Sequence, residues 1–186
     1  MTFKPGRGAF LIVILAFVTV CSCRFPEAHA REAAASAPKP MIIKEPENQA
    51  AIRALIDGFV NAIRAKDIDG VMAVFAPDVV SFDLGPPLQH GGGEAFVKRW
   101  HELFDSFHGP IHYEVRELKI AAGDDVAFSY SLNRISGTTK AGAQADRWLR
   151  WTAGYRKTNG KWLIVHEQVS VPVDARNGKA LLDLKP

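Results

Sequence analysis

From Ile52 onward, apolar residues recur at the spacing of one helical face: Ile52, Leu55, Ile56, Phe59, Val60 and Ile63 make a stripe that a helix ending near Lys66 would bury. The stretch "DIDGVMAVFAPD" predicts a short second helix stopped by Pro77, because proline cannot continue a helical ladder. "VVSFD" at 79–83 reads as a short strand, and the following "LGPPLQHGGG" as a turn-rich connection. A third helix carries Phe96, Trp100, Leu103, Phe104 and Phe107 on its apolar side, closed by Gly109-Pro110. Beyond it the signal is strand throughout, over about 111–121, 126–138, 145–158 and 161–173, joined by "GDD", "KAG" and "NGK" turns. There is no internal repeat.

Helices first and long strands last make an α+β fold, a cone-shaped curved antiparallel sheet wrapped around three N-terminal helices. Its mouth would open into an apolar concavity of the kind that holds small molecules. Alternate residues of a strand share a face. Trp148, Arg150 and Thr152 therefore stand on one side, and Leu149, Trp151, Ala153 and Tyr155 on the other. The last strand repeats the pattern, with His166, Gln168 and Ser170 set against Leu163, Val165, Val169 and Val171.

The N-terminal stretch changes the picture of where this fold works. Lys4 and Arg7 precede an unbroken apolar run at 9–20, too short to span a bilayer comfortably, and Ala28-His29-Ala30 supplies small residues for cleavage. Residues 1–30 read as a secretory signal, Arg31 as the mature N-terminus, and the protein as exported, periplasmic or secreted. A rival reading is a lipoprotein anchored at Cys23, from "VCSC". Neither leaves a transmembrane segment.

Residues 31–45 are Ala- and Pro-rich and read as a flexible linker, 46–173 as the domain, and 174–186 as a C-terminal tail. The whole chain of 186 residues has a formal net charge of +3, from 23 basic and 20 acidic residues. Loss of Lys4, Arg7, Arg24 and Glu27 with the leader leaves 20 against 19. That balance, with no basic stripe, excludes a nucleic-acid partner from the expectations. Cleavage after Ala30 also removes both cysteines, and with them any disulfide or thiol nucleophile.

Helix, short helix, "FAPDVVSFD", a Gly-rich turn into a third helix and four long strands with "GKWLIVHEQVSVP" near the end resemble the SnoaL-like, ketosteroid-isomerase-like branch of the nuclear transport factor 2-like superfamily. The resemblance covers about 46–173. It implies a concave sheet face that lines a pocket and a convex face that pairs two subunits. On this basis the polar rows are expected to turn inward, and the apolar rows to form the interface of a homodimer. Because the superfamily hosts isomerases, cyclases, dehydratases, epoxide hydrolases and association domains, the resemblance does not choose the reaction.

Two residues are candidates for moving a proton. Asp83 stands where ketosteroid isomerases carry a proton-abstracting aspartate, and burial at a cavity rim would raise its pKa toward the working range; the competing reading is a cap for the Leu84-Gly85-Pro86 turn. His166 is an imidazole tunable near neutral pH, or else a strut in a polar network; Gln168, two residues on, keeps a hydrogen-bond partner without supplying a second base. The oxyanion-binding positions of the resemblance fall on Phe59 and, approximately, Thr152, so steroid isomerisation itself is not expected. Arg150 and Arg134 would either meet Asp83 or Glu167 as an ion pair or await a carboxylate or phenolate ligand. Phe59, Trp100, Tyr130, Trp148, Arg150, Thr152, Gln168 and Ser170 are the candidate ligand-binding residues.

Three further motifs carry no site. Gly91-Gly92-Gly93 lacks the lysine and hydroxyl of a phosphate loop, Gly109-Pro110 forbids a helical His108/His112 metal pair, and no serine lies in a nucleophile elbow. No metal, nucleotide cofactor or covalent intermediate is expected. Two functions stay open: cofactor-free acid–base catalysis on a small apolar molecule, as by an isomerase, cyclase or dehydratase, and a non-catalytic ligand-binding or dimeric association module.

Overall fold

The computed structural model describes residues 45–186; the expected leader and all but the last residue of the expected linker lie outside the described residues. Its elements run α1 (Glu45–Ala65), α2 (Ile68–Met72), β1 (Phe75–Phe82), β2 (His90–Gly91), α3 (Glu94–Asp105), β3 (Phe107–Ala122), β4 (Val126–Thr139), β5 (Gln144–Thr158), β6 (Lys161–Ser170), β7 (Val173–Asp174) and β8 (Lys179–Ala180). Among the described residues no helix is long and apolar enough to cross a membrane.

The six main strands form one curved sheet in the order β2-β1-β6-β5-β4-β3. Neighbours are antiparallel except β1 and β6, which run parallel. The helical stripe of α1 lies on one face of this sheet: Ile52, Ile56, Phe59, Val60 and Ile63 are buried together with Trp151, Ala153, Tyr155 and Ile164. Phe59 stacks on Trp151 at 5.7 Å and meets Phe75, Trp100 and Tyr113 edge-on. One aromatic cluster thus joins α1, α3 and three strands, and such ring pairs add to the burial that holds the layers together.

Two expected boundaries move. Pro77 does not stop a helix but lies inside β1, which begins at Phe75. The β1–β6 register shifts between Phe75 and Val80, so Pro77 sits where no regular ladder bond is needed. Likewise α3 ends at Asp105, with the Ser106 hydroxyl donating to the Leu103 carbonyl, and Phe107 opens β3. Gly109-Pro110 is a break in the register of β3, between His108 and His112. As the edge strand of the sheet, β3 tolerates a residue without an N–H.

The Gly-rich turn has a steric reason. A side chain on Gly92 would place its Cβ 2.1 Å from the Pro77 carbonyl oxygen, and Gly93 enters α3 with φ of 81°. β6 ends at Ser170 rather than at 173. The tail then forms the β7–β8 hairpin, with Leu181 N–H donating to the Pro172 carbonyl and Lys185 Nζ lying 3.8 Å from Asp146 at the start of β5.

Candidate functional site

Which row of each strand faces the helices is settled by register. Across β3, β4 and β5 the residues Tyr113, Ile135 and Arg147 lie side by side, as do Val115, Asn133 and Leu149. Of these rows Tyr113, Asn133, Ile135, Arg147 and Leu149, with Trp151, Glu167 and Val169, line a cavity of about 450 Å³ roofed by α1 and α3 through Phe59, Phe96, Trp100 and Leu103. The inner face of β5 and β6 is therefore the apolar one. The expected orientation is reversed: Leu149, Trp151 and Val169 line the cavity, and Ala153 and Tyr155 are core.

Trp148, Arg150, Thr152, His166, Gln168 and Ser170 stand on the outer face, as does Tyr130, which is half exposed. The physical reason lies in the helices. α1 and α3 present bulky apolar stripes, and only the row carrying Trp151, Ala153 and Tyr155 can cover them without burying unpaired charge. His166 is anchored on that outer side: its Nδ1 lies 2.8 Å from the Val80 carbonyl, to which it donates, and its ring meets Phe82 edge-on at 4.7 Å. Trp148 holds the Arg116 guanidinium 4.9 Å above its ring. Arg134 pairs with Asp146 and Glu114, and the expected pairing of Arg150 with Asp83 or Glu167 does not form.

Of the candidates, Phe59, Trp100 and Asp83 line the cavity. Asp83 is fully engaged there. Its Oδ2 accepts from Arg99 Nε at 2.8 Å and Nη2 at 2.5 Å, while Oδ1 accepts from the Leu84 N–H at 2.6 Å. The carboxylate thus serves both as cap of the turn and as one half of an ion pair at the rim.

Of the two carboxylates lining the cavity, Glu167 has no counter-charge among the described residues. It is 5% exposed, and its oxygens accept one bond each from neutral donors, Ser81 Oγ at 3.0 Å and Trp151 Nε1 at 2.9 Å. Burial pushes its pKa up to about 7; the two hydrogen bonds oppose that rise and the charge of Asp83 adds to it. A carboxyl poised there can accept or release a proton near neutrality.

The same lining holds a neutral donor. Ser131 Oγ donates to Asn133 Oδ1 at 2.7 Å, and Asn133 Nδ2 donates to the Tyr113 hydroxyl at 2.9 Å. Burial drives the Tyr113 phenol above its ordinary range, and the nearby Glu167 charge reinforces the effect. The hydroxyl therefore keeps its proton, and with Asn133 occupying one lone pair, that proton is free to point at a ligand oxygen.

Sequence reasoning passed over Glu167, Tyr113, Asn133 and Ser81 as site residues. One signal was present: along the sequence Glu167 interrupts the apolar alternation of Val165, Val169 and Val171, although a register shift at Val165 makes Trp162 and Ile164, not Leu163 and Val165, its inward neighbours on β6. A lone carboxylate among apolar residues is costly unless it has a task.

Residues 52–174 match the SnoaL-like domain family. Among solved structures, the chain is similar to an NTF2-like protein of unknown function from Pseudomonas putida KT2440, at 36% identity over 74% of this chain and 95% of that one, with a TM-score of 0.67. A ketosteroid isomerase-like protein from Erwinia carotovora atroseptica SCRI1043 is 25% identical over 67% and 95%, with a TM-score of 0.58. A nuclear transport factor 2 (NTF2-like) superfamily protein from Salmonella enterica serovar Typhimurium LT2 shares the fold at 15% identity over 72% and 96%, TM-score 0.62. No curated protein matches.

Proposed function

The chain belongs to the SnoaL-like domain family, and from that premise we propose that it is an acid–base enzyme whose own side chains move a proton on a small, largely apolar molecule bearing a carbonyl or hydroxyl oxygen. The observation that carries this reading is Glu167, a buried carboxyl with no cation beside it, facing a cavity of small-molecule size. In its ionised form Glu167 takes a proton from a carbon next to the substrate oxygen. Charge developing on that oxygen receives the Tyr113 proton as a hydrogen bond, held ready by Asn133 and Ser131. Glu167 then returns the proton to another atom, which completes an isomerisation or prepares an elimination. Proton transfer is thereby assigned to Glu167, with Asp83 and Arg99 shaping the rim and His166 outside the cavity.

Two parts of the biological setting belong to the same proposal. Export rests on the basic and apolar pattern of residues 1–30. Pairing of two subunits through the outer sheet face is supported by Val126, Phe128 and Tyr130, which follow one another along β4 at 61%, 51% and 52% exposure.

The test follows proton exchange directly. In D₂O, wild-type protein should speed deuterium uptake at the α-carbon of 2-tetralone, read by proton NMR, and the rate should climb as pH rises through about 7 and Glu167 ionises. Glu167→Gln should lower that rate by about 10²-fold or more. Exchange that persists unchanged in Glu167→Gln, or that never exceeds buffer across a panel of cyclic and aryl ketones, would end this reading.

A further inference from the structure

The inner row of β5 reads Ala145, Arg147, Leu149, Trp151, Ala153, Tyr155 and Lys157; Lys157 donates to Asn48 at 3.0 Å, and Arg147 is the charged member that lines the cavity. The arginines around it are neutralised: Arg99 by Asp83, Arg134 by Asp146 and Glu114, Arg116 by Glu114. Arg147 lines the mouth of the cavity, exposed, and makes no hydrogen bond or ion pair among the described residues. Its neighbours in the lining do not offer it one. Ile135 lies across from it on β4, and Phe107 and Leu103 are apolar. Asp146 and Glu114 sit on the opposite face with Arg134.

We infer that Arg147 is an anion site, and that the substrate is an amphipathic carboxylate: an apolar ring body with an acid group at the mouth and its reacting oxygen at Tyr113 and Glu167. This deepens the proposed function and rests on it. Arg147 and Trp151 are four residues apart on one strand, about 13 Å between Cα atoms. After the reach of the arginine side chain, the remaining span fits a molecule of two fused rings. A guanidinium holds a carboxylate through two parallel N–H···O bonds, so it fixes direction as well as adding affinity.

The buried carboxylate of the site enforces the same direction. An acid group placed deep in the cavity would meet the Glu167 charge, whereas Asp83 at the rim is compensated by Arg99, and the uncompensated cation of the lining is Arg147 at the mouth. The ligand therefore enters ring first. Its reactive end reaches the proton carrier, and its acid stays in contact with water, where its desolvation cost is small.

Two probes separate this inference from the reading on which it rests: 6-hydroxy-2-naphthoate and its methyl ester, titrated by intrinsic fluorescence at pH 8. Wild type should bind the acid about tenfold more tightly than the ester, with the advantage shrinking at high salt. Arg147→Gln should bring the acid down to the affinity of the ester and leave the ester unchanged, while Arg147→Lys should restore part of the difference. Equal binding of both probes to wild type, or equal loss of both in Arg147→Gln, overturns the anion site while leaving the cavity as a ligand site. Absence of binding by both probes overturns the anion site and, with it, the proposed use of the cavity.

Discussion

Strands β5 and β6 carry opposite chemistries on their two faces. Inward stand Leu149, Trp151, Val169 and the single carboxylate Glu167; outward stand Trp148, Arg150, Thr152, His166, Gln168 and Ser170. The outer face is the more polar, yet its groups are met by solvent and by one another, as His166 is by Val80 and Trp148 by Arg116. The inner face buries one carboxylate, with two neutral donors and no counter-ion. Density of polar groups therefore does not mark the working side of a sheet; what marks it is a charge kept where keeping it is expensive.

The first way to break this contrast is to remove one side chain from each face. Trp151 is 2% exposed, stacks on Phe59 and donates to Glu167. Trp151→Ala should destabilise the fold by about 3–5 kcal/mol, as emptied aromatic core sites do. Thr152, its neighbour on the exposed side, should cost under about 0.5 kcal/mol as alanine. Urea denaturation of both variants measures this. Comparable losses would mean that the two faces are not divided as described.

The second concerns the cost of the Glu167 charge. Its pKa in the fold is about 7 against an ordinary 4.5, so between those values the native state binds more protons than the unfolded chain. Stability from this group therefore falls as pH rises from about 4.5 to about 7 and is flat beyond. Glu167→Gln removes the penalty. Above pH 7 the variant should be more stable than wild type by up to roughly 3 kcal/mol, with the difference vanishing near pH 4.5. The check is a set of urea titrations at pH 5 and pH 8; a variant less stable than wild type at pH 8 would show that the carboxylate has a cation partner in solution. The same substitution suppresses proton exchange, so a gain in stability and a loss of activity should appear together.

Much of this architecture could be read from the chain, because it depends on local pattern. The stripe from Ile52 to Ile63 is α1, and the "GDD", "KAG" and "NGK" turns separate β3, β4, β5 and β6 close to where the spacing puts them. Period-two alternation also sorted the residues of β5 into their two rows correctly. What alternation cannot supply is which row meets the helices, a question of tertiary packing. It was decided by the bulk of Phe59, Phe96 and Trp100, which need an apolar bed rather than a row of arginine, histidine and glutamine. Glu167 escaped notice for that reason: it sat in the row assigned to the outside. Pro77 and Pro110 misled in another way. Each was read as a helix stop, whereas each occupies an irregular stretch of strand, and only strand order reveals that β3 is an edge.

The smallest effect expected tests the outer face itself. Val126, Phe128 and Tyr130 put three large apolar side chains in succession on the outer side of β4, each more than half exposed. In an isolated subunit none of them packs into the core, so Phe128→Ser should change the folding stability of a single chain by less than about 0.5 kcal/mol. If two subunits pair through this face, the same substitution removes buried aromatic area from the contact and should weaken association by about 1 kcal/mol or more, roughly fivefold in the dissociation constant. Sedimentation equilibrium over a range of concentrations reads the two effects separately. A wild type that stays monomeric at every concentration, with Phe128→Ser indistinguishable from it, would make the outer row ordinary surface and remove the sheet-to-sheet dimer from the proposal.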